Sequence, residues 1–279
     1  MDFDNHSTFL RASSKPAWAQ SAYNLCDRTA RATPFHSQED SMPVANRLAC
    51  FALLCGSIPV LAQAAPGGGA QETNRTISNG GITVPGWQGQ VDASAEKQGQ
   101  SVKDAKLAPE GAGMRVTTGP AVSYWNPSNT ATGDYTVSAT FNEPKFMNLN
   151  THPHPYGVFI GGNDLGTPNA SMLYCAAYGN GTFIVRGFGP EPFQMNSRRG
   201  EANEAVHKAA GPGEPVTQNI ALSVKGDKIS CSINGTVVGT YNKSDVVAAG
   251  KLKSTDGMYG IRFAHNTDAI VTDFKITKP

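Results

Sequence analysis

An excess of charge of either sign is nearly absent from this chain of 279 residues: 23 Lys and Arg stand against 22 Asp and Glu, a formal net charge of +1. A near-neutral chain has no electrostatic footprint for nucleic acid or an acidic membrane surface, so neither is expected as a partner. Signatures of several enzyme classes are missing as well. The sequence has no Gly-x-Ser-x-Gly elbow, no phosphate-binding glycine loop and no Cys/His spacing of the zinc-finger kind. Nor does any sustained 3.6-residue apolar period mark an amphipathic helix. Cysteine is scarce, at five, and three of these, Cys26, Cys50 and Cys55, precede the main body of the chain.

Apolar runs are short too, and the most informative of them is Leu48 to Leu61. It is preceded by Arg47, interrupted by Gly56 and Pro59, and followed by Ala62-Gln63-Ala64. A positive n-region, an apolar h-region and a small-x-small site make a secretory signal peptide over residues 42–64, cleaved before Ala65. A transmembrane anchor would need about 20 apolar residues, more than this run supplies. The working chain is therefore expected outside the cytoplasm, secreted or periplasmic, with no integral membrane span. Residues 1–41, rich in Ser, Ala, Thr and Gln, are expected to form no packed structure, with translation starting at Met42. Residues 65–81, with Pro66-Gly67-Gly68-Gly69 and Asn79-Gly80-Gly81, read as a flexible linker, and 82–279 as one folded domain.

What is abundant is turn chemistry and β-formers. The chain has 30 Gly and 18 Pro, between segments of Val, Ile, Phe, Tyr and Thr that alternate with polar residues. From Ile220 to Tyr241, Gly226-Asp227 and Asn234-Gly235 read as two-residue turns separating three strands. That register sets Ile220, Leu222 and Val224 opposite Ile233, Cys231 and Ile229, and Cys231 opposite Val238, all on one face. Period two recurs in Tyr135 to Phe141, and at the end of the chain in Ile270, Phe274 and Ile276. Further strands are expected at Met114–Thr118, Ala121–Trp125, Tyr156–Gly161, Met172–Tyr178, Thr182–Phe188 and Tyr259–His265. About ten strands without covering helices imply two sheets face to face. The fold class is therefore all-β, a two-sheet antiparallel β-sandwich of jelly-roll type, since the Cys, Trp, Cys spacing of immunoglobulin domains is absent. Cys175 and Cys231 read equally well as one disulfide or as two separate buried thiols.

The segments Asp134 to Phe141, Tyr156 to Ile160, Ile220 to Gly235, Tyr259 to Phe263 and Asp273-Phe274 together resemble the concanavalin A-like lectin/glucanase superfamily. Within it they look most like the 3-keto-disaccharide hydrolase-like and laminin G-like domains of secreted bacterial proteins. The resemblance spans most of Gly86 to Pro279. It implies a concanavalin A-like jelly roll with one concave sheet carrying Trp125, Tyr174, Tyr178, Arg186 and Phe188. Glucanases of the superfamily use a Glu-x-Asp-x-x-Glu strand motif, which this chain lacks; the nearest cluster is Glu201-Ala202-Asn203-Glu204. Calcium is common in the superfamily, and Asp164 and Asp273 are the oxygens nearest to hand, although neither sits in a complete Ca²⁺ loop. No cofactor is otherwise expected.

Sugars stack their C–H faces on aromatic rings while guanidinium and amide groups bind hydroxyls. The expected partner is accordingly a carbohydrate, held by Trp125, Tyr174, Tyr178 and Arg186, with Arg198 beside Arg199 in the long segment Gly189 to Pro215. Trp125, where a strand meets Asn126-Pro127, is the expected half-exposed platform; the alternative is that the aromatic residues fill the core. Trp87 reads as a plug on the first strand. A glycoside hydrolase with carboxylates on different strands, or a structural or adhesion domain with a protein partner, are the other readings. His152-Pro153-His154 is the most unusual local run. With no third ligand in view it reads as a loop of two solvated histidines rather than a metal site, and His265 as a satisfied histidine at the core edge.

Overall fold

A computed structural model describes residues 72–279. The expected signal segment, the stretch upstream of it and residues 65–71 of the expected linker lie outside the described residues. In chain order the strands are β1 (Gly81–Ile82), β2 (Gln88–Val91), β3 (Ala105–Glu110), β4 (Gly113–Thr118), β5 (Val122–Ala131), β6 (Tyr135–Glu143), β7 (Tyr156–Asn163), β8 (Ser171–Ala177), β9 (Thr182–Phe188), β10 (Phe193–Gln194), β11 (Glu201–Ala202), β12 (Val216–Lys225), β13 (Lys228–Ile233), β14 (Thr236–Asn242), β15 (Gly257–Phe263) and β16 (Asp268–Thr277). Two one-turn helices, α1 (Ala93–Glu96) and α2 (Lys243–Val246), accompany them. Among the described residues no helix is long and apolar enough to cross a membrane.

The strands form two sheets. One has the order β1-β3-β4-β16-β6-β12-β13-β14, the other β10-β9-β8-β7-β15-β5-β2, with β11 also pairing β9. Pairing is antiparallel throughout these neighbours apart from β1 with β3. The chain passes back and forth between sheets, from β5 to β6 to β7 and again from β14 to β15 to β16, which is the two-sheet jelly roll that the alternation predicts. Inward positions of both sheets meet in a single core. At its centre Phe141 of β6 lies 5.4 Å from Tyr156 of β7 and 5.8 Å from Phe263 of β15, ring centre to ring centre. Such aromatic pairs contribute about 0.5–1.5 kcal/mol each beyond their buried area.

In β6 and β12 buried positions alternate with half-buried or exposed ones along the whole strand, as period two requires. The expected register of β12 on β13 holds, with Ile220, Leu222 and Val224 opposite Ile233, Cys231 and Ile229. Two expectations fail by one residue. Cys231 is opposite Gly239, not Val238, because the ladder shifts between Cys231 and Ser232 and makes Val238 the extra residue of a bulge. In β16 the inward residues are Ala269 and Val271, then Phe274 and Ile276. Ile270 is therefore not on the inner face. The register slips between Thr272 and Lys275, and Asp273 in between has φ 52°. A left-handed residue inserted in the strand turns the following side chains to the opposite parity.

Cys175 of β8 and Cys231 of β13 are joined by a disulfide, Cα atoms 6.0 Å apart, both buried between the sheets. Of the two readings open in the sequence, the bridged one holds. Trp87 packs on the core as expected, its ring 5.5 Å from Phe274.

The amino-terminal approach, expected to be part of a tether, is tied down from Glu72 onward. Asn266 Nδ2 donates to the Thr73 carbonyl at 3.0 Å, and its Oδ1 accepts from the Arg75 amide at 2.8 Å. The disulfide closes a loop 56 residues apart in sequence, so the entropy model assigns it about 4 kcal/mol. Replacing both cysteines by alanine is expected to lower unfolding free energy by about that amount in denaturant melts. A change below about 1 kcal/mol would show that the bridge adds nothing to the packed sheets.

Candidate functional site

The inner face of the second sheet belongs to the core, and its outer face carries a separate set of side chains. Parity assigns Met172, Tyr174 and Ala176 of β8, Ile184, Arg186 and Phe188 of β9, Phe159 of β7 and Trp125 of β5 to that outer face, with Leu173, Cys175, Phe183 and Val185 on the inner one. Across the strands, Arg186 is opposite Tyr174, Tyr174 opposite Phe159, and Gly260 opposite both Phe159 and Trp125. Gly260 is required here. A Cβ on it would come within 2.6 Å of the Phe159 ring and 2.1 Å of the Tyr124 carbonyl oxygen, so the aromatic ring lies where any other residue would put a side chain.

Besides half-buried Arg186, one buried charge lies within this apolar layer. Arg262 of β15 is 6% exposed, and its two terminal nitrogens each donate to an Asp92 carboxylate oxygen at 2.6 Å. Nη1 also donates to Ser123 Oγ at 3.3 Å. Burial works against the charged form, but Asp92 outweighs it and holds Arg262 above its ordinary value. The guanidinium lies over two rings, 5.1 Å from the centre of Phe188 and 5.7 Å from that of Tyr174, which are themselves stacked 5.9 Å apart.

Beside this pair a cleft of about 420 Å³ opens, walled by Tyr174, Tyr178, Arg186, Phe188 and Arg262 on the sheet side and by Phe193 and Gln194 of β10 at the rim. Tyr178, Arg186 and Phe188 are half-buried, so each keeps part of its surface for a ligand. Arg186 Nη2 donates to the Arg198 carbonyl, while Arg186 Nε is buried with no hydrogen-bond partner. Burial raises the phenols of Tyr174 and Tyr178, with nearby Arg186 opposing it, so both are neutral hydroxyls at physiological pH. A second, more apolar groove of about 860 Å³ continues past Asp92 and Phe188 toward Thr167, Pro168 and Met172.

The far wall of the cleft is histidine. His152, His154 and His265 line it, and Glu72 reaches them from the amino-terminal approach. His154 Nδ1 lies 2.5 Å from the His265 carbonyl oxygen, and its Nε2 lies 2.8 Å from His152 Nε2. Glu72 Oε2 is 3.3 Å from His152 Nδ1 and 3.6 Å from His154 Nε2. The His154 and His265 rings stack at 4.0 Å. Burial, with the neighbouring His265, pushes His154 down to about 4, and burial likewise lowers His265, so both are neutral imidazoles at pH 7.

The expected site residues are thus divided. Tyr174, Tyr178, Arg186 and Phe188 share one cleft. Trp125 shares their face but is 2% exposed, packed with Phe159 and Met172 and partly covered by Leu165. The expected half-exposed indole is therefore buried, because the turn after β7 folds over it. Arg198 and Arg199 are exposed, and Arg198 meets the cleft through its carbonyl rather than its guanidinium. Part of the long segment after β9 is ordered as β10 and β11 on the β9 edge. Asp164 pairs with Lys253, and Asp273 is the bulge residue of β16. Of the two histidines expected in solvent, His152 is exposed and His154 is buried, both within one cluster, and His265 is not satisfied: its Nδ1 is buried without a partner. Sequence reasoning missed Asp92, Arg262 and Glu72. The only signal for any of them is the outward parity of Arg262 between Ile261 and Phe263.

No family model matches the chain, and no curated protein matches it. Solved structures to which it is similar include a carbohydrate-binding module, CBM66, from Bacillus subtilis, at 7% identity and TM-score 0.43 over 71% of this chain and 98% of that one. A Bacillus subtilis protein of unknown function with a galectin-like fold gives 13% and 0.46 over 69% and 89%. An endo-beta-1,3-glucanase from Pyrococcus furiosus gives 14% and 0.43 over 70% and 88%. The two-sheet architecture stands on the strand pairing itself.

Removing one partner of a buried ion pair leaves an uncompensated charge, at a cost of about 3–5 kcal/mol. Asp92→Asn is expected to lose stability on that scale in urea melts. A loss under about 1 kcal/mol would mean that water reaches Arg262 and that the pair does not hold the outer face together.

Proposed function

We propose that this domain binds a carbohydrate in the cleft over the outer face of β8, β9 and β15. The observation that carries the reading is the grouping of half-buried Tyr178 and Phe188 around the half-buried guanidinium of Arg186 in one cleft. Flat apolar faces for sugar C–H surfaces and a fixed guanidinium for hydroxyls are the two contacts that a glycan needs. The apolar groove beyond Phe188 lengthens the surface and favours an oligosaccharide over a single sugar. Among the described residues the cleft lining includes one carboxylate, Asp92, and Arg262 engages both of its oxygens. A glycoside hydrolase needs a carboxyl pair flanking the bond, so binding is the better-supported activity.

The setting we propose is outside the cytoplasm. The signal-like segment Met42–Ala64 and the disulfide between Cys175 and Cys231 both support export to an oxidising compartment. The finer kinship we propose, with 3-keto-disaccharide hydrolase-like and laminin G-like domains, is supported by the strand-and-turn pattern of Asp134 to Phe274.

A glycan array probed with the full chain, followed by analysis of the bound sugar, tests the function. Binding without new reducing ends is expected. Tyr178→Ala and Arg186→Ala should each weaken binding by about 1–3 kcal/mol, the scale of stacking on an aromatic side chain, while Ser230→Ala on the first sheet leaves it unchanged. Failure to bind any glycan, or equal binding by all three variants, would overturn the reading, and new reducing ends would make the protein a hydrolase.

A further inference from the structure

We propose that Glu72, His152, His154 and His265 form a binding site for one divalent transition-metal ion of the zinc class. The four residues each offer a ligand atom, and these atoms all lie within 4.8 Å of one another. Three imidazoles and a carboxylate suit Zn²⁺ and its neighbours in the first transition row, and do not suit Ca²⁺ or Mg²⁺, which take oxygen ligands. Tetrahedral ligands about 2.0–2.1 Å from a metal stand about 3.3 Å apart. The separations here, 2.8 Å between the Nε2 atoms of His152 and His154 and 3.6 Å from Glu72 Oε2 to His154 Nε2, bracket that spacing.

The atoms behind the ligands are arranged as metal sites require. His154 Nδ1, by donating to the His265 carbonyl, carries the ring proton and leaves Nε2 with a free lone pair facing Glu72 and His152. Glu72 Oε1 accepts from the Thr151 amide at 2.9 Å, which fixes the carboxylate and leaves Oε2 for the centre. Two atoms of the cluster, Glu72 Oε2 and His265 Nδ1, are buried with no hydrogen-bond partner. Buried polar atoms in that state are costly unless something answers them, and a cation answers both.

Four protein ligands close the coordination shell, the arrangement of a structural ion rather than a catalytic one. The ligands come from three places: the amino-terminal approach, the loop leading into β7 and the turn after β15. The ion would staple Glu72 to the domain and fix the histidine wall of the cleft. The proposal does not depend on what the cleft binds.

The test is a metal titration of the full chain after stripping with a chelator, using Zn²⁺ for calorimetry and thermal melts and Co²⁺ for its visible spectrum. One ion per chain, a higher melting temperature with Zn²⁺ and the intense absorption of tetrahedral Co²⁺ are expected. His154→Ala and Glu72→Gln should each weaken Zn²⁺ binding at least 100-fold. His152→Ala, at a largely exposed ring, should do the same with the fold intact, so a folding defect in the other two does not decide the matter. His207→Ala, at an exposed histidine outside the cluster, should leave binding as it is. Absence of Zn²⁺ binding, or binding that His152→Ala does not weaken, would overturn the proposal. The glycan reading is tested separately, at Tyr178 and Arg186, so a failure of either proposal is distinguishable from a failure of the other.

Discussion

A guanidinium stays charged at any pH a protein meets, and Arg262 holds one in an apolar layer. Everything on the outer face of the second sheet is arranged around that fact. Asp92 must be where it is to neutralise the charge, which fixes the passage from β2 into α1 against the face of the sheet. The guanidinium lies over the rings of Tyr174 and Phe188, which form one side of the cleft. The pair also stands between the cleft and the longer apolar groove, since Asp92 and Phe188 line both. A buried ion pair seldom adds net stability over apolar packing. Its effect here is to fix a geometry: one cation holds an edge strand, a helical turn and two rings of neighbouring strands in register.

The histidine cluster closes the opposite wall by a different means. Arg262 and Asp92 are each other's complement, whereas Glu72, His152, His154 and His265 leave buried atoms unanswered. The cleft thus has one wall complete in itself and one whose polar atoms await a partner, and both walls depend on contacts far apart in sequence. Arg262 and Asp92 are 170 residues apart, and Thr151 and Glu72 are 79.

That separation explains what was legible in the sequence. The meander from β12 to β14 could be read because two-residue turns set register locally and parity does the rest. The resemblance to the superfamily, not parity, sets Tyr174, Tyr178, Arg186 and Phe188 on one sheet. Where the chain departs from strict alternation, at Val238 and at Asp273, a bulge decides; Gly239 stands beside the first, and no glycine or proline stands next to the second. Trp125 was placed on the right face with the wrong exposure, because its cover comes from a turn after another strand. Glu72 lay in a stretch whose glycines and polar residues read as a tether. His152 and His154 were visible as an oddity, but their partners are brought to them only by the fold. Local pattern carried the strands, and long-range burial of charge and imidazole made the site.

The most direct measurement is ¹⁵N NMR of the labelled chain titrated with the glycan that binds it best on an array, following backbone amides and arginine Nε–H signals together. Shifts centred on Arg186 Nε–H, Tyr178 and Gly187, with β12 to β14 unmoved, are the expected result. Shifts confined to the first sheet, with Arg186 Nε–H unchanged at saturation, would contradict the placement of the binding face.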